Sequence, residues 1–310
     1  NIRFFFISCG FFSFLVAVDI IIQVTFGKNL LGFEYDYRPT GFFASEEIAG
    51  SYLQKISLFL IFFSAFLTKN ENIKYKYMYI SFLIFFITLI LVNNRIPIVI
   101  FLCSFFIFLF LTKKFKIIIY GILFSTALLF TSYKSVERLN SSFISFYGNS
   151  KYILSTAPRL FYHKEVPEII NYGTGHLIIF NSGVQLWKKN KIFGSGLKSF
   201  KLNCTYDHNQ TCTSHPHNYF IEIALDMGVV GLVLMYLIFL ISLFDYFKFY
   251  KKNQNSNSTL ISLPFFLIIF FEFFPIRSTG SFFTTNNAVI IFFMLAVFIG
   301  ILNSKNSKVE

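Results

Sequence analysis

The chain has 310 residues and a formal net charge of +12, with 55% hydrophobic residues, only 14% charged ones and a mean hydropathy of +0.62. So apolar a composition excludes a disordered chain, and a soluble domain would carry roughly 25% charged residues. It argues against a nucleic-acid partner as well, because the basic residues are scattered between apolar runs and form no continuous stripe.

The composition predicts an all-α polytopic membrane protein. The 47 Phe read as lipid-compatible bulk and not as a motif. Crossing about 30 Å of hydrocarbon takes roughly 20 apolar residues. Eight runs qualify or nearly do: 4–26, 48–67, 77–92, 96–112, 117–132, 219–247, 260–275 and 288–302. Lys69, Lys74 and Lys76 follow the second run, and Lys113, Lys114 and Lys116 the fourth. Lys248, Lys251 and Lys252 follow the sixth, and Lys305 and Lys308 the eighth. Every second short loop is thus Lys-rich, which assigns those loops and both chain ends to the cytoplasm. Four segments result: five spans in 1–132, an outer segment with short helices at 133–218, three spans in 219–302, and a tail at 303–310. The outer segment carries ten Lys/Arg against four Asp/Glu, a balance that suits an anionic substrate or lipid headgroups.

The basic residues divide into 21 Lys and 6 Arg. On this topology Arg38, Arg95, Arg138, Arg159 and Arg277 fall outside and only Arg3 inside. A planar guanidinium grips phosphate through two parallel hydrogen bonds, which an ammonium cannot do. The outer arginines are therefore candidate phosphate ligands; the competing role is pairing with Glu34, Asp36, Glu137 or headgroups. Arg95 stands out in the hairpin Asn93-Asn94-Arg95-Ile96-Pro97, where a charge at a membrane boundary is a functional candidate. Arg38 precedes the second span in a segment that Pro39 and Gly41 should turn. Ser45-Glu46-Glu47 is then expected to open the helix, with two acids in its first turn.

The outer segment ends with Cys204-Thr205-Tyr206-Asp207-His208-Asn209-Gln210-Thr211-Cys212-Thr213-Ser214-His215-Pro216-His217-Asn218. Pro216 stops helix upstream and Asn218 is suited to cap the span that follows. His215 and His217 then sit at a helix N-terminus on the membrane surface, where either can serve as a general base near neutral pH. A metal site built from these His, His208, Asp207 and the cysteines is the competing reading, but the spacing matches no zinc pattern. In an oxidising compartment Cys204 and Cys212 can instead close a small disulfide loop. Cys9 and Cys103 read as residues within spans. Glu222 and Asp226 follow at helical spacing, and Gly228 and Gly231 are expected to continue the same helix. Glu222 and Asp226, like Asp19, Gln23 and Glu272, either orient a functional group or satisfy a neighbouring helix.

His217-Asn218, nine residues, Gly228, two residues and Gly231 resemble the signature of the O-antigen ligase and polymerase family. The context Thr213–Glu222 is similar to that family's outer loop entering its next span. Gly194-Ser195-Gly196-Leu197 is similar to its Gly-x-Gly element, and the stretches around Arg38 and Arg95 resemble further family segments. The resemblance implies a glycosyltransferase that needs neither metal nor cofactor, multi-pass in the bacterial inner membrane, with its site facing the periplasm. Its donor would be a glycan on undecaprenyl diphosphate, and its acceptor a hydroxyl of lipid A–core or, for a polymerase, of another lipid-linked glycan. Carried over by position, Arg38 and Arg95 hold the diphosphate and His217 is the base, supported by His215, Asn218 and Glu222. Where family members often place an Arg before a loop helix, this chain reads Gly173-Thr174-Gly175-His176, so Arg159 or His176 is the candidate replacement. The resemblance also implies further spans upstream of Asn1. A protein O-oligosaccharyltransferase is a third variant. A non-enzymatic transporter is the reading from another class; it predicts internal repeats and broken helices, neither of which the sequence displays.

Overall fold

A computed structural model of the chain describes residues 1–135, 175–204, 213–254, 256–275 and 277–304. The protein is all-α. Its helices are α1 (Ile2–Phe26), α2 (Ala49–Phe62), α3 (Ser64–Leu67), α4 (Glu71–Val92), α5 (Arg95–Leu111), α6 (Phe115–Ser135), α7 (Gly175–Trp187), α8 (Ser199–Asn203), α9 (Tyr219–Lys252), α10 (Asn257–Glu272) and α11 (Thr285–Asn303). Among the described residues the remaining regular structure is a 3-10 turn, Gly41–Phe43, and an isolated bridge between Lys28 and Glu34. Each expected span falls on a helix. Among the described residues, five stretches are long and apolar enough to cross a membrane: Ile2–Phe26, Ala49–Leu67, Glu71–Val92, Tyr219–Lys252 and Thr285–Asn303. The other three runs form shorter apolar helices.

Local chemistry sets the helix ends. The Asn70 side chain accepts from the backbone N–H groups of Asn72 and Ile73 at 3.0 and 3.3 Å, which starts α4, and Glu71 favours its positive end. Asn93 ends α4 in the left-handed region at φ 57°, and α5 begins two residues later. α2 does not open at the two acids. Glu46 and Glu47 lie ahead of its first residue, Ala49, because Ala44 reverses the chain at φ 52° and Glu47 is drawn to Arg38 instead.

The chain forms two compact units. The first comprises the described parts of Asn1–Leu139, Phe247–Ile268 and Gly300–Glu310; the second comprises those of Asn140–Tyr246 and Ile269–Ile299. The first unit shows that Phe is more than lipid-facing bulk. Phe6, Phe59 and Phe265 are fully buried and meet edge-on or tilted, with ring centroids 5.0–6.1 Å apart. Phe82 of α4 stacks on Phe101 and Phe105 of α5. Such pairs add specific geometry to what would otherwise be uniform apolar packing. Lys74, read as an orientation signal, is buried and donates to Asn257 Oδ1 at 2.6 Å.

The second unit contains α7, α8 and most of α9. Its core is Ile179, Leu186, Phe200 and Leu225, with Trp187 and Cys204 against it. α9 is not a continuous helix: at Gly228 the backbone turns to φ 68°, ψ −170°. The expectation that Gly228 continues the helix is therefore corrected. The peptide groups freed at the break are taken by the loop 191–196. Ser195 and Gly196 N–H donate to the carbonyls of Leu225 and Asp226 at 2.8 and 3.0 Å. Val229 and Val230 N–H donate to the carbonyls of Lys191 and Ile192 at 2.9 and 3.2 Å. Gly228 is required on two counts. Its φ is positive, and a Cβ there would collide with the Ile192 carbonyl.

Candidate functional site

In the second unit, the His-bearing segment is clamped between the start of α9 and the turn that follows α10. Asn218 is buried and caps α9, its Oδ1 accepting from Ile221 N–H at 3.0 Å. Its Nδ2 donates to the carbonyls of Pro275 and Arg277 at 2.8 and 2.9 Å. His217 is held in the left-handed region at φ 53°, uncommon for a residue with a Cβ, and its carbonyl accepts from Thr279 N–H at 2.8 Å. Glu222, in the first turn of α9, accepts from Ser281 Oγ and from Phe282 N–H at 2.6 Å. Its carboxylate therefore secures the far wall of the segment. Glu222 thus satisfies a neighbouring segment.

The two histidine rings lie against each other at a tilt, with centroids 4.2 Å apart and planes at 51°. His215 Nδ1 lies 2.8 Å from Ser214 Oγ. Burial and the adjacent His217 push the His215 imidazolium down to about 4, against a smaller upward pull from the Thr279 backbone. Burial also lowers His217 from the ordinary His value, again opposed by the Thr279 backbone. Both rings are thus neutral at pH 7, the form that accepts a proton.

Sequence reasoning missed the segment 277–284, which supplies Thr279, Ser281 and Phe282 to this arrangement. Its residues form no recognisable motif, and nothing in their spacing shows that a His sixty positions upstream depends on them. Arg277, counted among the outer arginines, is nearly buried; its Nη1 donates to Phe271 O at 3.0 Å and lies 3.4 Å from Glu272 Oε1. Asp226 is likewise committed. It accepts from the backbone N–H of Lys198 and Ser199 at 2.7 and 3.1 Å and from Ser199 Oγ at 2.8 Å, capping α8. α7 packs on the His segment at Gly183, where a Cβ would stand 2.6 Å from Ile221 and 3.1 Å from Pro216.

In the first unit, Arg38 lies on the loop that precedes α2, and Arg95 opens α5. Arg38 Nη1 pairs with Glu47 Oε2 at 2.7 Å, and its guanidinium lies 5.1 Å from the Tyr37 ring centre. The loop bearing Arg38 is anchored by two buried polar residues of α1. Asp19 accepts from Leu30 N–H at 2.8 Å and Asn29 Nδ2 at 3.2 Å. Gln23 accepts from Thr40 and Gly41 N–H at 2.9 Å and donates to Phe33 O at 3.1 Å. Arg95 is the first residue of α5, and the preceding Asn94 packs on Gly50 of α2, where a Cβ would meet Asn94 Cβ at 2.8 Å. Asp19 and Gln23 therefore hold this loop in place.

Arg159, Asp207, His208 and Cys212 lie outside the described residues. His176 is the second residue of α7, but its side chain is not among those described. Cys204 is disulfide-bonded, whereas Cys9 and Cys103 are free thiols.

The helices and their polar, buried substructure define a polytopic all-α membrane protein in which irregular backbone is sheltered by protein. The chain belongs to the O-antigen ligase family, whose model matches residues 80–236, half of the chain. The match takes in Arg95, both histidines, Gly228 and Gly231, while Arg38 and the turn 277–284 lie outside it. No curated protein matches the chain. Membership brings a glycan-processing activity of the ligase/polymerase type, glycosyltransferase-like, on lipid-linked glycans.

Proposed function

We propose that this protein transfers an O-antigen-type glycan from undecaprenyl diphosphate to an acceptor hydroxyl on lipid A–core, at the periplasmic face of the bacterial inner membrane. His217 takes the proton from that hydroxyl. The oxygen attacks the anomeric carbon, the bond from that carbon to the diphosphate oxygen breaks, and the lipid diphosphate leaves with the bonding pair. Arg38 and Arg95 neutralise the charge that develops on the leaving group, with Arg159 as a further ligand. His176 belongs with these supporting residues as the candidate replacement for a missing arginine.

The observation that carries this reading is the setting of His217. A neutral imidazole in a conformation uncommon for its type is fixed from both sides, by Asn218 on Pro275 and Arg277 and by Thr279 on its own carbonyl. Sparsely populated backbone conformations of this kind cluster at functional sites. His215 lies against it at a tilt and stays neutral, so it orients the base without competing for the proton.

The test is complementation. The chain is expressed in a host lacking its O-antigen ligase and, separately, in a host lacking its polymerase, and the lipopolysaccharide ladder is examined. Restoration of glycan on lipid A–core in the first host supports the ligase reading; restoration of chain length in the second alone replaces it with polymerisation. In the host that responds, His217→Ala should abolish transfer, a loss of at least about 10²-fold, while the protein still inserts. Arg95→Lys should fail too despite keeping its charge, and normal transfer by that variant would remove the two-bond phosphate contact from the mechanism.

A further inference from the structure

The loop 188–204 has an unusual surface. Ile192, Phe193, Leu197 and Leu202 are 62%, 77%, 63% and 84% exposed. Lys189, Lys191, Lys198 and Lys201 are exposed among them, and residues 188–204 contain no Asp or Glu. A soluble loop would not present four large apolar side chains to water.

The loop is also rigidly placed. Beyond its four backbone hydrogen bonds to the α9 break, the Trp187 indole donates to Lys191 O at 3.2 Å and Asn190 Nδ2 donates to Ser195 Oγ at 3.1 Å. Past the break, Val229, Val230, Val233, Leu234, Leu237, Ile238, Ile241 and Phe244 are all more than 40% exposed, and the lysines at 248, 251 and 252 end the run. Residues 229–247 rise about 28 Å, the thickness of a hydrocarbon core. Gly228 therefore marks one boundary of the bilayer, and the loop hydrogen-bonded to Val229 and Val230 lies at that boundary. Its exposed Ile192 and Phe193 continue the lipid-facing surface of α9.

We propose that the loop 188–204 is an interfacial anchor: Ile192, Phe193, Leu197 and Leu202 enter the leaflet beside the α9 break, and the four exposed lysines bind anionic phospholipid headgroups around them. Apolar side chains that enter the acyl boundary, ringed by ammonium groups at headgroup level, are the combination that holds a segment in the plane of a membrane. The device fixes the height of α8 and of the Asp226 cap relative to the lipid surface.

The experiment uses the whole protein in nanodiscs of mixed phosphatidylcholine and phosphatidylglycerol. Trp187→Phe removes the single native indole, and Phe193→Trp or, in a second variant, Leu202→Trp places one on the anchor. With acyl chains brominated near their glycerol end, emission should fall by roughly half or more. Quenching should be stronger when the bromines are on phosphatidylglycerol than on phosphatidylcholine at the same fraction. Changing the four lysines to Gln should abolish that difference. Emission from both variants that ignores brominated lipid and is quenched by aqueous iodide would overturn the anchor. Protection from both quenchers would do so too, because the patch would then be covered by protein. Equal quenching by the two brominated lipids would overturn the role of the lysines.

Discussion

The two parts of α9 on either side of Gly228 invert the pattern of a soluble protein. Residues 219–227 carry Glu222 and Asp226, yet Tyr219, Ile221, Glu222, Ile223, Ala224, Leu225 and Asp226 are all buried. Residues 229–244 carry no charge, and most of their large side chains are exposed. Where lipid is the solvent, an apolar surface needs no cover, and the protein interior is where polar groups find partners. The first part thus works as scaffold for the histidine site, with each carboxylate assigned to a neighbouring segment. The second part works as a membrane span. The glycine between them lets one helix serve two environments.

The most damaging change should be at the junction. Gly228→Ala combines a positive φ with a collision against the loop 191–196, so a loss of about 3 kcal/mol or more is expected. The loss should appear as a sharp drop in folded protein recovered in detergent, and a variant of wild-type thermal stability would show that the break is not needed. The next test sets the parts directly against each other. Leu225→Ala removes a fully buried side chain and should cost about 2–5 kcal/mol, whereas Leu237→Ala, nearly half exposed, should cost less than about 1. Equal costs for the two would erase the contrast. The smallest effect concerns pH. Because burial lowers His217 below the ordinary value of 6.5, its neutral form persists to lower pH. Transfer should therefore hold steady as pH falls to 6.5, with the acid limb below it; an acid limb centred above that value would mean that His217 is not held as described.

Much of the membrane architecture was legible in the residue order. The eight apolar runs, the cap at Asn218 and the His-Asn-x9-Gly signature can be found by reading along the chain, because each depends on neighbours within a few positions. The candidate site was legible only in part. His217 and Asn218 were visible, but the partners that fix them, Thr279 and the Pro275 and Arg277 carbonyls, contribute backbone groups, which leave no mark on side-chain identity. The carboxylates misled for a related reason. An acid inside an apolar run signals that it has a partner but not which one, and Asp226 turned out to cap a helix 27 residues upstream.

Span existence and helix class followed from composition and period alone, since a bilayer demands about 20 apolar residues whatever surrounds them. The sense of Gly228 did not. Gly228-Val229-Val230-Gly231-Leu232 reads as uninterrupted helix, and a break there would strand four peptide groups in an apolar setting. The break exists because the loop 191–196, more than thirty residues away, supplies a hydrogen bond for each of them, and that meeting is a property of the tertiary structure.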